Sequence, residues 1–330
     1  MNIALTGDVM LGRLVNRDVI QNPSLPPATL WGDVLPLLLA ADLRLINLEC
    51  VISTGGARWS PFTKPFHFRA HPRAIEVLTA AKIECVTLAN NHTLDYGPEA
   101  FAECLALLDQ AGIRHAGAGP NLDRALAPAL LTTAAGRVAV IALTDNEPAW
   151  EATERTPGTN FVAYDGQGLV EPYRSRLTRL LASARGQAEC LIVSAHVGPN
   201  WGPPSAAMRA LAHELLDLGA DLYWGHSNHT PQGIEVYRNK AILYATGDFV
   251  DDYAIDPVER NDLSFLFIVE VDRGRLHGIT LHPVAIEQCR VRRAKDREAG
   301  FLQERMQAQS AAFGTTVAFQ DHVGAVALSA

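Results

Sequence analysis

Short apolar runs closed by polar or turn residues recur along the chain. They alternate with stretches whose apolar residues return every three or four positions. Residues 3–6, 43–47, 85–89, 138–143, 190–195 and 222–224 have the first pattern and predict buried strands. Phe101, Leu105 and Leu108 stack at helical spacing, as do Met208, Leu211, Ala212 and Leu215. Strands alternating with helices predict an α/β fold built on a buried sheet. After about residue 233 the pattern changes: residues 234–237 and 241–245 flank Arg238-Asn239-Lys240, and 265–271 and 276–283 flank Arg273-Gly274. These two hairpins predict a second, antiparallel-rich sheet. Residues 299–311 have a helical pattern, whereas 313–330 carry little pattern and are expected to form a fraying C-terminal tail. No repeat, low-complexity tract or linker divides the remainder, so residues 1–312 read as a single domain.

Composition narrows the classes of function. A chain of 330 residues, 48% hydrophobic and 19% charged, can bury a large core as an ordinary soluble protein. A formal charge of −8 argues against non-specific binding to nucleic acid or anionic membrane, so neither is expected as a partner. An anionic substrate stays compatible, because a local cation overrides the global field. The start, MNIALTGDVML, has neither a basic n-region nor a cleavage site, and no apolar run is long enough to span a bilayer. Cys50, Cys85, Cys104, Cys190 and Cys289 are scattered, without a CxxC pair. Four of the five lie in apolar elements, so buried thiols in a reducing compartment, with the cytoplasm as location, are expected.

The candidate chemistry sits where the strand-like runs end. TGDVMLGR (6–13) puts Asp8 at the carboxyl edge of the first strand, where open α/β folds place ligands; the alternative is that Asp8 caps a helix. Asn47 and Glu49 alternate to one side as the next strand ends, and a carboxylate so close to apolar residues needs a metal or an Arg partner. In Asn90-Asn91-His92-Thr93-Leu94-Asp95, an Asn oxygen can ligate a metal, His92 can donate a proton and Asp95 can orient it, before Pro98 opens a helix. A polar turn explains the Asn residues but not the His and Asp beside them. His196 begins HVGPNW, and His226 and His229 share a Gly-led turn suited to a metal. In TGDFVDDY (246–253), Asp248 follows the strand directly, whereas Asp251 and Asp252 read as exposed turn residues. Two loops, 53–71 and 146–168, are long enough to build a pocket, and the first is basic. There is no GxSxG, GxxxxGK[ST], early GxGxxG or HExxH motif.

Taken in order, GDVMLGR, NLE, ANNHTLDYG, AHVGPNW, GHSNHTPQG and ATGDFVDDY resemble the CapA-like family, named for poly-γ-glutamate capsule synthesis, within the calcineurin-like metallophosphoesterases. The segments span about three quarters of the chain. The resemblance implies a four-layer α/β/β/α sandwich of two mixed sheets with a metal site at the sheet edges. It implies Asp8, Glu49, Asn91, His196, His226 and His229 as ligands of one or two divalent ions, Mn, Fe or Zn, with Glu49 bridging. It makes His92 the general acid or base, with Asp95 behind it. Met10 stands where the superfamily has the His of Asp-x-His, Asn228 where it has the second His of GHxH, and Asn200 where many relatives have Glu.

The implied activity is metal-assisted hydrolysis of an anionic phosphoester or of a γ-glutamyl or peptide substrate. Candidate substrate contacts are Arg13, Lys64, His67, Arg69, Asn200 and Asp248. Two other readings fit the same residues: epimerisation of a peptide at an α-carbon, and non-catalytic binding of polyglutamate by an accessory protein.

Overall fold

The computed structural model describes residues 1–59 and 63–328. Positions 60–62 of the basic loop and 329–330 of the expected tail lie outside the described residues.

Two mixed sheets carry the fold. The larger has ten strands, in the order Ala318–Gln320, Val323–Ala327, Arg275–Glu287, Leu263–Asp272, Asn2–Val9, Leu43–Leu48, Cys85–Thr87 and Arg114–Ala116. Asp248–Val250 adds in parallel at the end of Asn2–Val9, and Arg290–Arg293 pairs with Arg275–Glu287. The smaller has six, in the order Ile234–Tyr237, Lys240–Leu243, Leu222–His226, Cys190–His196, Gly136–Thr144 and Ala129–Thr133. The α/β class expected from the alternation is found, and every strand-like run above falls on a strand of one of these sheets, although 85–89 and 241–245 run two residues past Cys85–Thr87 and Lys240–Leu243.

The hairpins after residue 233 do form, but not as a sheet of their own. Both turns put two residues at positive φ, Arg238 (51°) with Asn239 (63°) and Arg273 (47°) with Gly274 (78°). That is the type I′ geometry that matches strand twist. The first hairpin then docks Lys240–Leu243 parallel to Leu222–His226, and the second docks Leu263–Asp272 antiparallel to the first strand. Local alternation specifies a hairpin but not the edge it joins, so the expected separate sheet is instead an extension of both mixed sheets.

Period-two alternation sorts each strand's side chains between two cores. Ile3, Leu5, Leu45 and Phe267 of the larger sheet meet Val140, Ile192, Trp224 and Leu243 of the smaller one in a shared core. The opposite face of the larger sheet, with Ile46, Leu48 and Val86, packs Trp31, Leu38, Val77, Phe101 and Leu108. The opposite face of the smaller sheet, with Ile141, Val193 and Tyr223, packs Leu177 and Leu181 of helix Tyr173–Arg185 and Leu211 and Leu215 of helix Ala206–Asp217. Helix Gly97–Gln110 carries Pro98 in its first turn, as its sequence implies.

Registration within the sheets gathers the polar strand ends. Asp8 lies level with Asn47 on one side and Asp248 on the other, and His196 lies level with Thr144 and His226. Gly7 allows the first alignment: a Cβ there would meet the Gly247 carbonyl oxygen at 2.2 Å. Gly225 does the same beside Tyr244, at 2.1 Å from its carbonyl oxygen.

The expected fraying tail is a correction. Val323–Ala327 pairs antiparallel with Arg275–Glu287, Ala318–Gln320 pairs in turn with it, and Val317, Val326 and Leu328 are buried. These strands are short and built largely of small residues, so they carry little hydrophobic signal until a partner edge exists. Val326→Ala is therefore expected to cost about 1.5 kcal/mol in chemical denaturation, from two lost methyl groups. A fraying tail would show no change.

Candidate metal centre

The carboxyl ends of the parallel strands of both sheets converge on one buried polar cluster. Asp8, from the first strand, contacts His226 Nδ1 through Oδ1 at 2.7 Å and approaches His196 Nδ1 with Oδ2 at 3.9 Å. Asn47 fixes it from the neighbouring strand: its Nδ2 donates to Asp8 Oδ1 (2.8 Å), and its Oδ1 accepts from Thr87 Oγ1 and Asn90 Nδ2 (both 3.1 Å). Glu49 Oε1 lies 3.9 Å from both His196 Nε2 and His92 Nε2, while Oε2 accepts from the Tyr253 hydroxyl at 3.2 Å. Asp8, Glu49 and His196 can each offer one ligand atom with all of these within 4.8 Å of one another.

Burial and charge shape the protonation of this cluster. For Asp8, burial works to raise the pKa, but the charge and hydrogen bond of His226, then His196 and Asn47, outweigh it and hold the carboxyl at about 2. Burial, then the charge of Asp8, pushes Glu49 well above the usual carboxylate range. Burial lowers His196 to about 3 against the pull of Asp8, and His92 to about 4 against that of Asp95. Burial thus keeps the His196 and His92 imidazoles neutral with lone pairs to offer, and its contacts keep Asp8 ionised, whereas the Glu49 carboxyl gives up its proton only when a positive charge enters the site. His226 Nε2 and Asn91 Oδ1 are buried without a hydrogen-bond partner. A pocket of N and O donors with unpaired buried atoms fits a divalent cation.

His92 stands beside this cluster. Its Nδ1 lies 2.6 Å from Asp95 Oδ2, and its ring stacks on Phe68 with centroids 3.9 Å apart. Asp95 also accepts from the Phe68 backbone N–H (2.6 Å) and from Lys64 Nζ (2.6 Å). A carboxylate already holding these donors keeps the proton on His92 Nδ1 and leaves the Nε2 lone pair toward Glu49. On the other side, His229 Nδ1 lies 3.0 Å from Asp248 Oδ1.

The expected site residues fall into three groups. Arg13, Glu49, Lys64, Asn91, His92, His196, Asn200 and His229 line a cavity of about 530 Å³, with Asp8 and His226 directly behind. Asp95 and Asp248 support His92 and His229; Asp248 is not on the cavity wall, so its expected substrate contact is replaced by a positioning one. His67 and Arg69 are corrections. His67 packs edge-on against Tyr96, and Arg69 donates to the carbonyls of Gly55 (2.8 Å) and Gly56 (3.2 Å) with its guanidinium over Tyr96. Both serve the loop's own geometry and neither lines the cavity.

Lys64 lines the cavity but is not free for substrate: it donates to Asp95 and the Asn91 carbonyl, and lies 3.8 Å from Glu147 and over the Trp150 ring. Met10 is core, its sulfur accepting the Gly12 N–H, and Asn228 clamps its own turn to Gly202 and Thr230. Asp251 is buried, and Asp252 is half-buried with its side chain covered, rather than both being exposed. Burial, then the charge of Asp248, raises Asp251 well above the usual range, and Asp252 pairs with Arg13. Tyr253, Glu147, Phe68 and Trp201 were not singled out from sequence as site residues. For Tyr253 the signal was present, as the end of a run in which acidic residues sit directly between apolar ones.

Among the described residues, no helix is long and apolar enough to cross a membrane. Comparison with known proteins agrees with the order of motifs. A protein of Mycobacterium tuberculosis named "Probable polyglutamine synthesis accessory protein" is 33% identical, over 96% of this chain and 93% of its own length. The capsule biosynthesis protein CapA of Bacillus anthracis is 27% identical over 76% of this chain and 60% of its own length. The PGA biosynthesis protein CapA of Bacillus subtilis is 26% identical over 76% and 63%. Residues 2–253 match the family described as bacterial capsule synthesis protein PGA_cap, and the chain belongs to that family.

Proposed function

We propose that this protein is a metal-dependent hydrolase of γ-glutamyl or related peptide amides that carry a carboxylate. The observation that carries the proposal is the Asp8–Glu49–His196 cluster lying against the His92–Asp95 pair on one cavity. The choice of a glutamyl substrate rests on the printed names of the relatives in polyglutamine and PGA synthesis. The apolar cores on both outer faces and between the sheets support a four-layer α/β/β/α reading of the fold.

Asp8, Glu49 and His196 would hold the ion, with Asn91, His226 and His229 around it. A divalent ion there supplies Lewis acidity to the scissile group and to water. His92 performs the proton transfers: its Nε2 takes a proton as water adds to the carbonyl carbon, while Asp95 stabilises the resulting imidazolium. As the C–N bond breaks, the same proton passes to the departing nitrogen, so an acid and an amine leave. Tyr253 and Asn47 hold the carboxylates of Glu49 and Asp8 in place.

The test is elemental analysis of the purified full chain together with release of p-nitroaniline from γ-glutamyl-p-nitroanilide, with p-nitrophenyl phosphate as the competing substrate. One or two equivalents of Mn, Fe or Zn and release from the anilide are expected. A protein that retains no divalent metal, or that turns over only the phosphoester, overturns the proposal.

A further inference from the structure

The anions a cavity can hold depend on the cations its wall leaves free. Among the described residues, Arg13 and Lys64 are the Arg and Lys side chains on this wall, and Lys64 is already engaged by Asp95, Asn91 and Glu147. Arg13 is built differently. Its backbone sits at φ 50°, a left-handed conformation that disfavours any residue with a Cβ. Asp252, whose side chain is only 1% exposed, holds it there: Oδ2 accepts the Leu14 N–H (2.7 Å) and Oδ1 pairs with Arg13 Nε (3.2 Å).

Asp252 Oδ1 lies behind Nε as an ion-pair contact rather than a hydrogen bond, and no partner among the described residues takes the two terminal nitrogens of Arg13. Those nitrogens form the edge that meets a carboxylate through two parallel hydrogen bonds. The guanidinium lies 5.8 Å from the Phe66 and Phe68 rings and 6.0 Å from Tyr253. The cavity lining is partly aromatic and amide: Phe66 is 57% and Trp201 41% exposed, and Asn200 and Asn261 line the same cavity.

We propose that Arg13, aimed by Asp252, receives a single carboxylate and that the aromatic mouth takes the uncharged group beside it. Resting on the γ-glutamyl reading above, this makes the substrate one glutamyl unit at the end of a chain, not a polyanionic run. A run of carboxylates needs repeated free cations. Among the described residues this wall offers one, with Glu147 also on the wall, on a chain of net charge −8. The two terminal nitrogens of one guanidinium match the two oxygens of a single carboxylate, and with Asp252 behind them they offer no excess charge for a dianion.

N-benzoylglycine, one carboxylate beside one aromatic ring, is the probe. Calorimetric titration of the full chain with it, benzamide, phenyl phosphate and high-mass poly-γ-glutamate reads the site without turnover. Binding of N-benzoylglycine well above benzamide is expected. Arg13→Gln should weaken it by about 10-fold or more, as for a lost charge-assisted pair, and Asp252→Asn by a smaller factor. Four results overturn the inference: no binding of N-benzoylglycine, unchanged binding in Arg13→Gln, tighter binding of the polymer per chain, or equal Arg13-dependent binding of phenyl phosphate. Metal analysis of the same samples separates the two proposals. Arg13-dependent binding in a protein without metal refutes the metal reading alone, and metal without Arg13 dependence refutes this inference alone.

Discussion

His92→Ala is expected to lower turnover by about 10²–10⁴-fold while the bound metal stays at the wild-type level. The expectation follows from position: His92 Nε2 lies 3.9 Å from Glu49, its Nδ1 is held by Asp95, and its ring is stacked on Phe68. It faces the cluster without being one of the residues that would hold the ion. If Asp95 acts through His92, the double variant His92→Ala/Asp95→Asn loses little more than the single one, because groups that act as a unit are not additive. Lys64→Met extends the argument. A cation that binds substrate would raise KM when removed. A cation that fixes Asp95 would lower kcat with KM nearly unchanged, and the latter is expected, because Lys64 is buried against Asp95 and Asn91. Steady-state kinetics on γ-glutamyl-p-nitroanilide, alongside metal analysis, distinguish these outcomes. Full activity in His92→Ala would remove its assigned role.

The contrast between Lys64 and Arg13 shows what was legible in the sequence. That polar residues end each parallel strand could be read directly, because strand periodicity and the following Gly or Asn are local signals. Asp8, Glu49, Asn91, His92, His196, His226 and His229 were all found that way, or through the order of their motifs. What local pattern cannot supply is the direction of a side chain within a loop. Lys64 and Arg69 looked equivalent, yet one is buried on Asp95 and the other closes the Gly55–Gly56 turn. Asp251 and Asp252 looked solvated because paired acids usually are. Their side chains are covered because Asp248–Val250 adds to the first strand and carries them against Arg13 and Tyr253. The sheet contributed by 318–327 was missed for a related reason, since its strands acquire a core only when they meet residues 275–287.

Glu49→Gln is expected to weaken metal binding by at least about 100-fold and, in the presence of a chelator, to make the protein more stable than wild type. Without an ion, the wild-type fold holds the Glu49 carboxyl in a buried site beside Asp8, and both burial and that charge raise its pKa well above the usual value of 4.5. A carboxyl whose folded pKa exceeds its unfolded one contributes stability below the unfolded value and loses it as pH rises through the folded value. Glutamine does not titrate. The advantage of the variant should therefore be small near pH 4.5 and grow with rising pH, to about 1–3 kcal/mol once wild-type Glu49 is ionised. His92 and His196, lowered to about 4 and 3, act in the opposite sense: their contribution is lost as pH falls below about 6.5. Both proteins carry those two residues, so the histidine contribution largely cancels in the difference. Urea unfolding of both proteins with chelator, from about pH 5 to about pH 8, measures the effect. With metal near 100 times the wild-type dissociation constant the variant's advantage should shrink by about 2.3 kcal/mol, because wild type then gains about 2.7 kcal/mol from binding and a 100-fold weaker variant only about 0.4. A variant less stable than wild type at every pH with chelator present would show that Glu49 is a structural acid and not one kept for a cation.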